Sequence, residues 1–422
     1  MLGNKKKQST TVVTGIDIGS TGIRVAVGHV HERGGGKAQV QIVGAVTVDS
    51  EGIQKGVVTS IDETVSSISH AIEQAERLTG VPVDHAWVGV SGSQIISQRN
   101  KGVVAVAKPD GEISYEDVER VVEAAKTVAP PLNYEMLHVL PSSYIVDGQT
   151  GIKDPVGMTG VRLEVDAQLI YANAAHLKHV TKAVYRAGLD IDDIVLSIIS
   201  SAHIIATNRQ KELGVVVVNI GGPTTSMVIY EGGEVIHTAT IPIGSEHVTN
   251  DLAIGLRTSI DVAERVKLEF GNCLANNVSK KDSIDLQSLG QKESEIVKRY
   301  YIAQIIEARM TEILEKVDDA LGEVHRQKLL PAGVVFTGGG ANMPGLVDLS
   351  KQALGLPSLI GYPIDVDSIS DKVNDLAFSP AIGLVSWGAE VSASHSPRMT
   401  NRFASSGKVL EKLQGVWKSL IP

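Results

Sequence analysis

Residues 215–230 read VVVVNIGGPTTSMVIY, and residues 12–30 read VVTGIDIGSTGIRVAVGHV. Both stretches predict a buried strand, a tight glycine turn and a second strand, with Asp17 aligned with Asn219 and Gly19 with Gly221. A turn of this kind, used twice about 200 residues apart, predicts a chain built from two related halves. Each turn taken alone is also typical of an ordinary hairpin.

Strands and helices alternate through most of the chain, which predicts an α/β architecture. One apolar helical pattern ends at Gly80, and another helix begins at Ser114 with acidic residues in its first turn. A long helix is predicted over residues 293–323, after a polar connection over residues 276–293. The stretch GVVFTGGGANMPGL (333–346) predicts a buried strand that runs into a third glycine cluster.

The bulk composition narrows the class of protein. The length of 422 residues predicts several domains or subdomains. The aromatic content of 4% predicts an aliphatic core, and the net charge of −9 predicts no nucleic acid partner. Cys273 is the only cysteine and fits a reducing compartment. Because neither a signal peptide nor a membrane-spanning apolar run is visible, we expect a cytoplasmic protein whose membrane contact is peripheral.

The three glycine-rich turns together predict a nucleotide site. Backbone N–H groups in such turns suit a polyphosphate, and Asp17 is a candidate to hold Mg²⁺ through water, since Mg²⁺ keeps much of its hydration shell. The candidate residues of the turns are Asp17, Gly19, Ser20, Thr21, Gly22, Asn219, Gly221, Gly222, Thr224, Thr225, Gly338, Gly339, Gly340 and Asn342.

With these motifs the chain resembles the actin–Hsp70–sugar-kinase superfamily and, within it, the FtsA family of bacterial division proteins. The resemblance covers about residues 12–390 and again the tail. GIDIGSTGIR resembles the superfamily's first phosphate loop, GVVVVNIGGPTTSMVIYEGG the second, and GVVFTGGGANMPGL the adenosine loop. SIDVAERVKLEFG (259–271) resembles the helix that supplies a glutamate and a lysine to the ribose, here Glu264 and Lys267. WVGVSGSQI, IKDPVGMTGVRL and IIEARMTEIL are more specific to FtsA.

The resemblance implies an actin-like fold: two RNase H-like halves around a nucleotide cleft, an FtsA-type inserted subdomain and a C-terminal amphipathic helix. It also implies the boundaries. Subdomain 1A comprises residues 12–83 and 164–197 and is completed by about 371–390, and the inserted subdomain 1C comprises residues 84–163. Subdomain 2A comprises residues 198–245 and 333–370, and subdomain 2B comprises residues 246–332. A flexible linker follows over residues 391–407, and the amphipathic helix over residues 408–422.

The loops depart from the superfamily pattern in ways that bear on hydrolysis. Asn219 stands where an aspartate is usual, and its amide lacks the charge that would hold Mg²⁺ or orient water. Pro223 has no N–H for a phosphate, and Gly22 stands where a lysine is common. His203 is a candidate to position water, with a histidine packed between helices as the alternative. The sequence therefore predicts that ATP is bound and hydrolysed slowly or not at all.

The last residues, KVLEKLQGVWKSLIP (408–422), place apolar residues on one helical face and lysines on the other, after a polar segment. Fourteen helical residues would span about 21 Å, which is too short to cross a bilayer and suits lying on an anionic leaflet. The alternative is a helix docked on the protein's own core. The predicted membrane-binding residues are Lys408, Val409, Leu410, Lys412, Leu413, Val416, Trp417, Lys418, Leu420 and Ile421.

Three functions are open. The first, implied by the resemblance, is an ATP-binding protein that polymerises on the inner face of the cytoplasmic membrane at the division site. Such a protein anchors the FtsZ ring and works with other divisome proteins. The resemblance also implies that the FtsZ C-terminal tail binds residues 246–332. The second is a kinase or ATPase of the superfamily, which would need an acid at position 219 or a base near residues 200–203. The third is an actin-like adaptor of the type IV pilus inner-membrane platform, which recruits a membrane protein's peptide instead of using its own helix.

Overall fold

The computed structural model describes residues 11–32 and 38–394, in which strands and helices alternate as the sequence predicts. The strands are β1 (Thr11–Ile18), β2 (Gly22–Glu32), β3 (Ala38–Asp49), β4 (Ile53–Gln54), β5 (Val57–Val58), β6 (His85–Val90), β7 (Ile95–Ala105), β8 (Tyr134–Val146), β9 (Gln149–Ile152), β10 (Arg162–Asn173), β11 (Asp190–Leu196), β12 (Val215–Ile220), β13 (Thr225–Glu231), β14 (Glu234–Ile241), β15 (Ser283–Asp285), β16 (Ile296–Lys298), β17 (Val334–Thr337), β18 (Ser358–Ile360) and β19 (Val366–Ser368). The helices are α1 (Ile61–Thr79), α2 (Tyr115–Lys126), α3 (Ala174–Arg186), α4 (Ser197–Ile205), α5 (Asn208–Leu213), α6 (Ser245–Leu256), α7 (Ile260–Phe270), α8 (Arg299–Glu323), α9 (Leu346–Leu354) and α10 (Ser379–Ser394).

Two sheets with one topology form the two halves. The first half has the order β11-β6-β1-β2-β3-β19, and the second has the order β18-β17-β12-β13-β14. In each, a central antiparallel hairpin (β1–β2 or β12–β13) is joined by a parallel strand on one side and an antiparallel strand on the other. The duplication predicted from the two glycine turns is therefore confirmed.

The central strands are aliphatic because helices cover both faces of each sheet. Residues 215–218, the four valines of β12, are all fully buried, as a strand at the centre of a two-sided sheet requires. Most core residues are aliphatic, which agrees with the low aromatic content, and the few buried aromatic residues include Trp87, Phe336 and Phe378.

The inserted subdomain is a four-stranded sheet, β7-β10-β8-β9, with α2 packed on one face. Its predicted boundaries at 84 and 163 are wrong by one strand at each end. Strand β6 pairs in parallel with β1, Trp87 opposite Gly15, and so belongs to the first half. Strand β10 pairs with both β7 and β8 and so belongs to the insertion, which extends to Asn173.

Other predicted boundaries also need correction. The long helix α8 starts at Arg299 instead of 293, because residues 296–298 pair with β15 inside the predicted polar connection. Strand β19 pairs with β3 of the first half, although residues 333–370 were predicted to lie in the second. The predicted helix ends are confirmed: Gly80 closes α1 in the left-handed conformation, and Ser114 forms a capping box with Asp117 at α2.

Helices α4 and α10 cross between the two halves. A Cβ on Gly383 would collide with the carbonyl oxygen of Ser200, so only glycine allows this approach, and Ser200 Oγ donates to the Pro380 carbonyl 3.2 Å away. Helix α10 continues to Ser394, so the first four residues of the predicted linker are helical. The rest of that linker and the predicted amphipathic helix (408–422) lie outside the described residues.

In the described part of the chain, no helix is both long and apolar enough to cross a membrane.

Candidate functional site

A cavity of about 470 Å³ lies between the two halves, within the range of small-molecule sites. All the predicted nucleotide residues line it except Gly22 and Thr225. Gly22 begins β2, where its carbonyl accepts a hydrogen bond from Arg24, and Thr225 is fully buried and donates to the Ile243 carbonyl 2.8 Å away. The three glycine turns and the Glu264–Lys267 helix therefore meet at one place.

Sequence reasoning missed several lining residues. Ser197 and Ile198 come from the start of α4, and Ser245 and Glu246 from the start of α6. These positions carry no motif, and only the folded chain brings helix starts to the turns. The further lining residues outside the prediction are Arg24, Ser91, Ser226, Leu268, Met343, Pro344, Ala377 and Pro380, with Pro223 identified only as a departure.

The first two turns are equivalent in register. Asp17 lies opposite Arg24 in β1–β2, and Asn219 lies opposite Ser226 in β12–β13, each two residues before its turn. The backbone is therefore duplicated across the cleft, with a carboxylate on one side and an amide on the other.

Asp17 is buried, with 7% of its surface exposed. Burial raises the pKa of its carboxyl group, against the lowering effects of the Arg24 charge and of a hydrogen bond that Ser197 Oγ donates to Oδ1 at 2.8 Å. A cation beside Asp17 would favour the ionised form. Among the described residues, no group of three or more His, Cys, Asp or Glu side chains could hold a metal. A single carboxylate such as that of Asp17 suits Mg²⁺ held through water, since Mg²⁺ keeps much of its hydration shell.

The second turn is fixed by its own hairpin and by α6. Gly221 N–H donates to the Thr224 carbonyl, and the carbonyls of Gly221 and Gly222 accept the N–H groups of Ser245 and Glu246 at 2.9 and 2.8 Å. The turn therefore supplies partners for the first N–H groups of α6, which a helix cannot satisfy internally.

The first and second turns touch each other through Gly222. A Cβ at this position would collide with Thr21 Cγ2 of the first turn and lie 2.6 Å from Glu246 Oε1. The two halves therefore approach at the glycine itself, with Glu246 behind it. Burial raises the pKa of Glu246, although the His247 and Lys267 charges oppose this effect.

The third turn needs glycine for a second reason. Gly338 has φ +86°, and a Cβ there would meet Asn219 Oδ1 and lie 2.6 Å from the Ile220 carbonyl oxygen. A left-handed residue without a side chain lets the end of β17 pass directly over the second turn.

On the cavity wall formed by α7, Lys267 and Glu264 form an ion pair of 2.7 Å. Lys267 Nζ also donates to Thr249 Oγ1 at 2.9 Å, and Thr249 donates to Glu264. Lys267 is buried, whereas Glu264 keeps 41% of its side chain exposed. The network holds a partly exposed carboxylate on the wall of the cavity.

His203 does not line the cavity. Its Nε2 lies 3.3 Å from Glu390 Oε1, and its ring packs edge-on against Trp387, both on α10. The packing alternative therefore describes this histidine better than the water-positioning one, because α4 turns it away from the cleft.

Comparison with known proteins first defines the class of fold. The model of the SHS2 domain inserted in FtsA matches residues 92–171, which agrees with the corrected insertion. The solved PilM-PilN type IV pilus biogenesis complex has a TM-score of 0.65 at 17% identity, covering 90% of this chain and 98% of that one. MreB 5 of Spiroplasma citri bound to AMPPNP has a TM-score of 0.50 at 12% identity, covering 88% and 94%. The fold is thus actin-like with an inserted SHS2 domain.

Sequence similarity then identifies the family. The cell division protein FtsA model matches residues 216–383. FtsA from Pseudomonas aeruginosa is 37% identical over 91% of this chain and 90% of its own length, and FtsA from Escherichia coli K12 is 32% identical over 97% and 98%. The chain belongs to the FtsA family of cell division proteins.

Proposed function

We propose that this chain binds ATP in the cleft, forms actin-like filaments on the inner face of the cytoplasmic membrane and anchors the FtsZ ring there during septum assembly. The observation that carries the proposal is the pair of equivalent glycine hairpins facing each other, with the Asp17 carboxylate at the base of one. Membership in the FtsA family supports the division role.

In this proposal the cleft residues divide the nucleotide among them. The N–H groups of residues 19–21 in the first turn, and those of Gly222 and Thr224 in the second, bind the phosphates. Glu264 binds the ribose hydroxyls while Lys267 orients it, and Leu268 and Met343 cover the base. Mg²⁺ bound beside Asp17 through water would neutralise charge on the phosphates.

Titration with a fluorescent ATP analogue, with and without Mg²⁺, tests this assignment. We expect saturable binding that ATP displaces and AMP does not, because the turns bind the β- and γ-phosphates. Equal displacement by AMP would show that the two hairpins do not bind the β- and γ-phosphates.

Hydrolysis is expected to be slow or absent. Asn219 brings no charge to the second turn, and Pro223 brings no N–H group. Phosphoryl transfer depends on positioned charge, so the loss affects turnover more than binding. A steady rate of about 1 s⁻¹ or faster would favour the alternative of a superfamily ATPase or kinase.

Membrane attachment is assigned to residues 408–422. Purified chain should co-sediment with vesicles containing anionic lipid, and a chain ending at residue 407 should not. A control that replaces Lys5, Lys6 and Lys7 by serine tests the basic N-terminus as the source of binding. Equal lipid binding by the truncated chain would remove this part of the proposal.

The FtsZ C-terminal tail is assigned to residues 246–332. On this region Ile254 of α6 is 77% exposed, and the nearby Tyr301 of α8 is 45% exposed, which offers apolar contact to a peptide. Ile254→Glu should abolish binding of an FtsZ tail peptide in a titration, whereas Ile369→Glu, at a position 72% exposed but outside the region, should not. Equal effects of both variants would remove the assignment.

Filament formation is tested by electron microscopy of the protein with ATP on an anionic lipid monolayer. Membrane-bound filaments are expected, since many weakly bound terminal helices on one filament bind with high avidity. Isolated monomers under all conditions would contradict polymerisation while leaving ATP binding untouched.

A further inference from the structure

The inserted subdomain contacts both halves of the molecule. It is continuous with the first half through the turn after β6 and the start of α3. Its strands β7, β8 and β10 also contact β14, the edge strand of the second half. A rotation between the halves therefore requires either that the subdomain follow the second half or that this contact open.

One ion pair joins the inserted subdomain to the second half. Lys153 lies just after β9, and its Nζ donates to both carboxylate oxygens of Glu212 on α5, at 2.8 and 2.6 Å. The side chains are 50% and 54% exposed, so water and salt reach the pair. An exposed pair is weak, and for that reason it can open without unfolding either part.

Helix α5 places Glu212 where the inserted subdomain meets the second half. The carbonyls of Lys211 and Glu212 accept the N–H groups of Gly233 and Gly232 in the β13–β14 turn, both at 3.1 Å, so α5 moves with the second half. Burial lowers the pKa of Lys211 to about 8, an effect that the Glu390 charge on α10 opposes. Helix α5 also follows α4 directly, just beyond the crossing with α10.

We propose that the Lys153–Glu212 pair is a releasable latch, which holds the inserted subdomain on the second half and couples its release to rotation of the halves about the α4–α10 crossing. In the latched state the subdomain spans both halves and restrains the cleft between them. In the released state the ion pair and the contacts of β7, β8 and β10 with β14 are open, and the subdomain remains attached to the first half only. The proposal stands independently of the nucleotide assignment.

Spin-label distance measurements on the full chain test the latch. Cys273 is the only cysteine and is buried, so cysteines placed at the exposed Gln149 of the insertion and Lys351 of α9 can be labelled selectively. In this background we compare Glu212→Lys, Lys153→Glu and the double swap Lys153→Glu/Glu212→Lys. The matched control is Lys316→Glu, which breaks a 2.9 Å pair with Asp319 inside α8.

Each single reversal should increase the population outside the main distance peak about fivefold, as expected when attraction becomes repulsion. The double swap should restore the original distribution, and Lys316→Glu should leave it unchanged. Raising the salt from about 0.1 M to about 1 M should reduce the difference between wild type and single variants, because screening shortens the reach of both forces. Unchanged distributions in both single variants, or no recovery in the double swap, would overturn the latch.

Discussion

The two phosphate-binding turns of the proposed site share a backbone and differ in chemistry. Asp17 and Asn219 occupy equivalent register positions, yet one is a buried carboxyl group whose pKa burial raises, and the other is a neutral amide. The duplicated fold therefore supplies two turns of equivalent register, while a carboxylate that suits the proposed Mg²⁺ is present at only one. Binding and hydrolysis can separate in such a site.

The turns also differ in how they are supported. Ser20 Oγ of the first turn accepts the Gly56 N–H at 2.7 Å, a contact to a short loop. The carbonyls of the second turn, Gly221 and Gly222, bind the first turn of α6. The second turn is thus held in place by the start of α6, whereas the first turn follows the ionisable Asp17.

The largest expected effect follows from making the first turn like the second. Asp17→Asn should weaken Mg²⁺-dependent ATP binding about 100-fold, because the carboxylate that orients the hydrated ion is lost. Without Mg²⁺, wild type and variant should bind ATP alike. Titration calorimetry with and without EDTA provides the measurement, and an equal loss in both conditions would indicate a packing defect.

The same variant should be more stable than wild type when no nucleotide is bound. The folded-state pKa of Asp17 is raised, so the folded chain binds this proton more tightly than the unfolded chain. Stability therefore falls as pH rises from the ordinary aspartate pKa, about 3.8, through the folded pKa, and asparagine removes that loss. Thermal unfolding should show a higher melting temperature for Asp17→Asn at pH 7, with a smaller difference at pH 4.

The reciprocal change should affect turnover. Asn219→Asp places a second carboxylate at the cleft, and we expect ATP turnover to rise about tenfold while affinity changes by about twofold or less. Phosphate release at saturating MgATP measures the first, and titration the second. An unchanged rate would mean that Asn219 does not limit catalysis.

The turns were predictable because glycine patterns report local backbone geometry, and the match of Asp17 to Asn219 followed from the same letters. The insertion boundaries were wrong because β6 and β10 are assigned by pairing with distant strands, which no local pattern contains. Ser197 and Glu246 were missed for a related reason. Helix starts become part of a site only when the halves fold against each other.

A third change tests the contact between the turns. Gly222→Ala should weaken ATP binding about fivefold, because the added methyl group meets Thr21 Cγ2 and pushes the halves apart. Thr21→Ser removes that methyl group while keeping the hydroxyl. The double variant should therefore recover part of the affinity, since the close contact with Glu246 Oε1 remains. A double variant no better than Gly222→Ala would show that the contact with Thr21 does not set the width of the cleft.

The smallest effect is expected at Pro223. Pro223→Ala restores one backbone N–H group to the second turn, which should tighten ATP binding about twofold to threefold, the value of one hydrogen bond partly offset by lost rigidity. Turnover should rise much less than in Asn219→Asp, by about twofold or less, since no charge is added. If Asn219→Asp acts mainly on the rate and Pro223→Ala on the amide contact to the phosphates, their free-energy effects should add in the double variant. Strong non-additivity would instead show that the amide and the charge of this turn act on the same step.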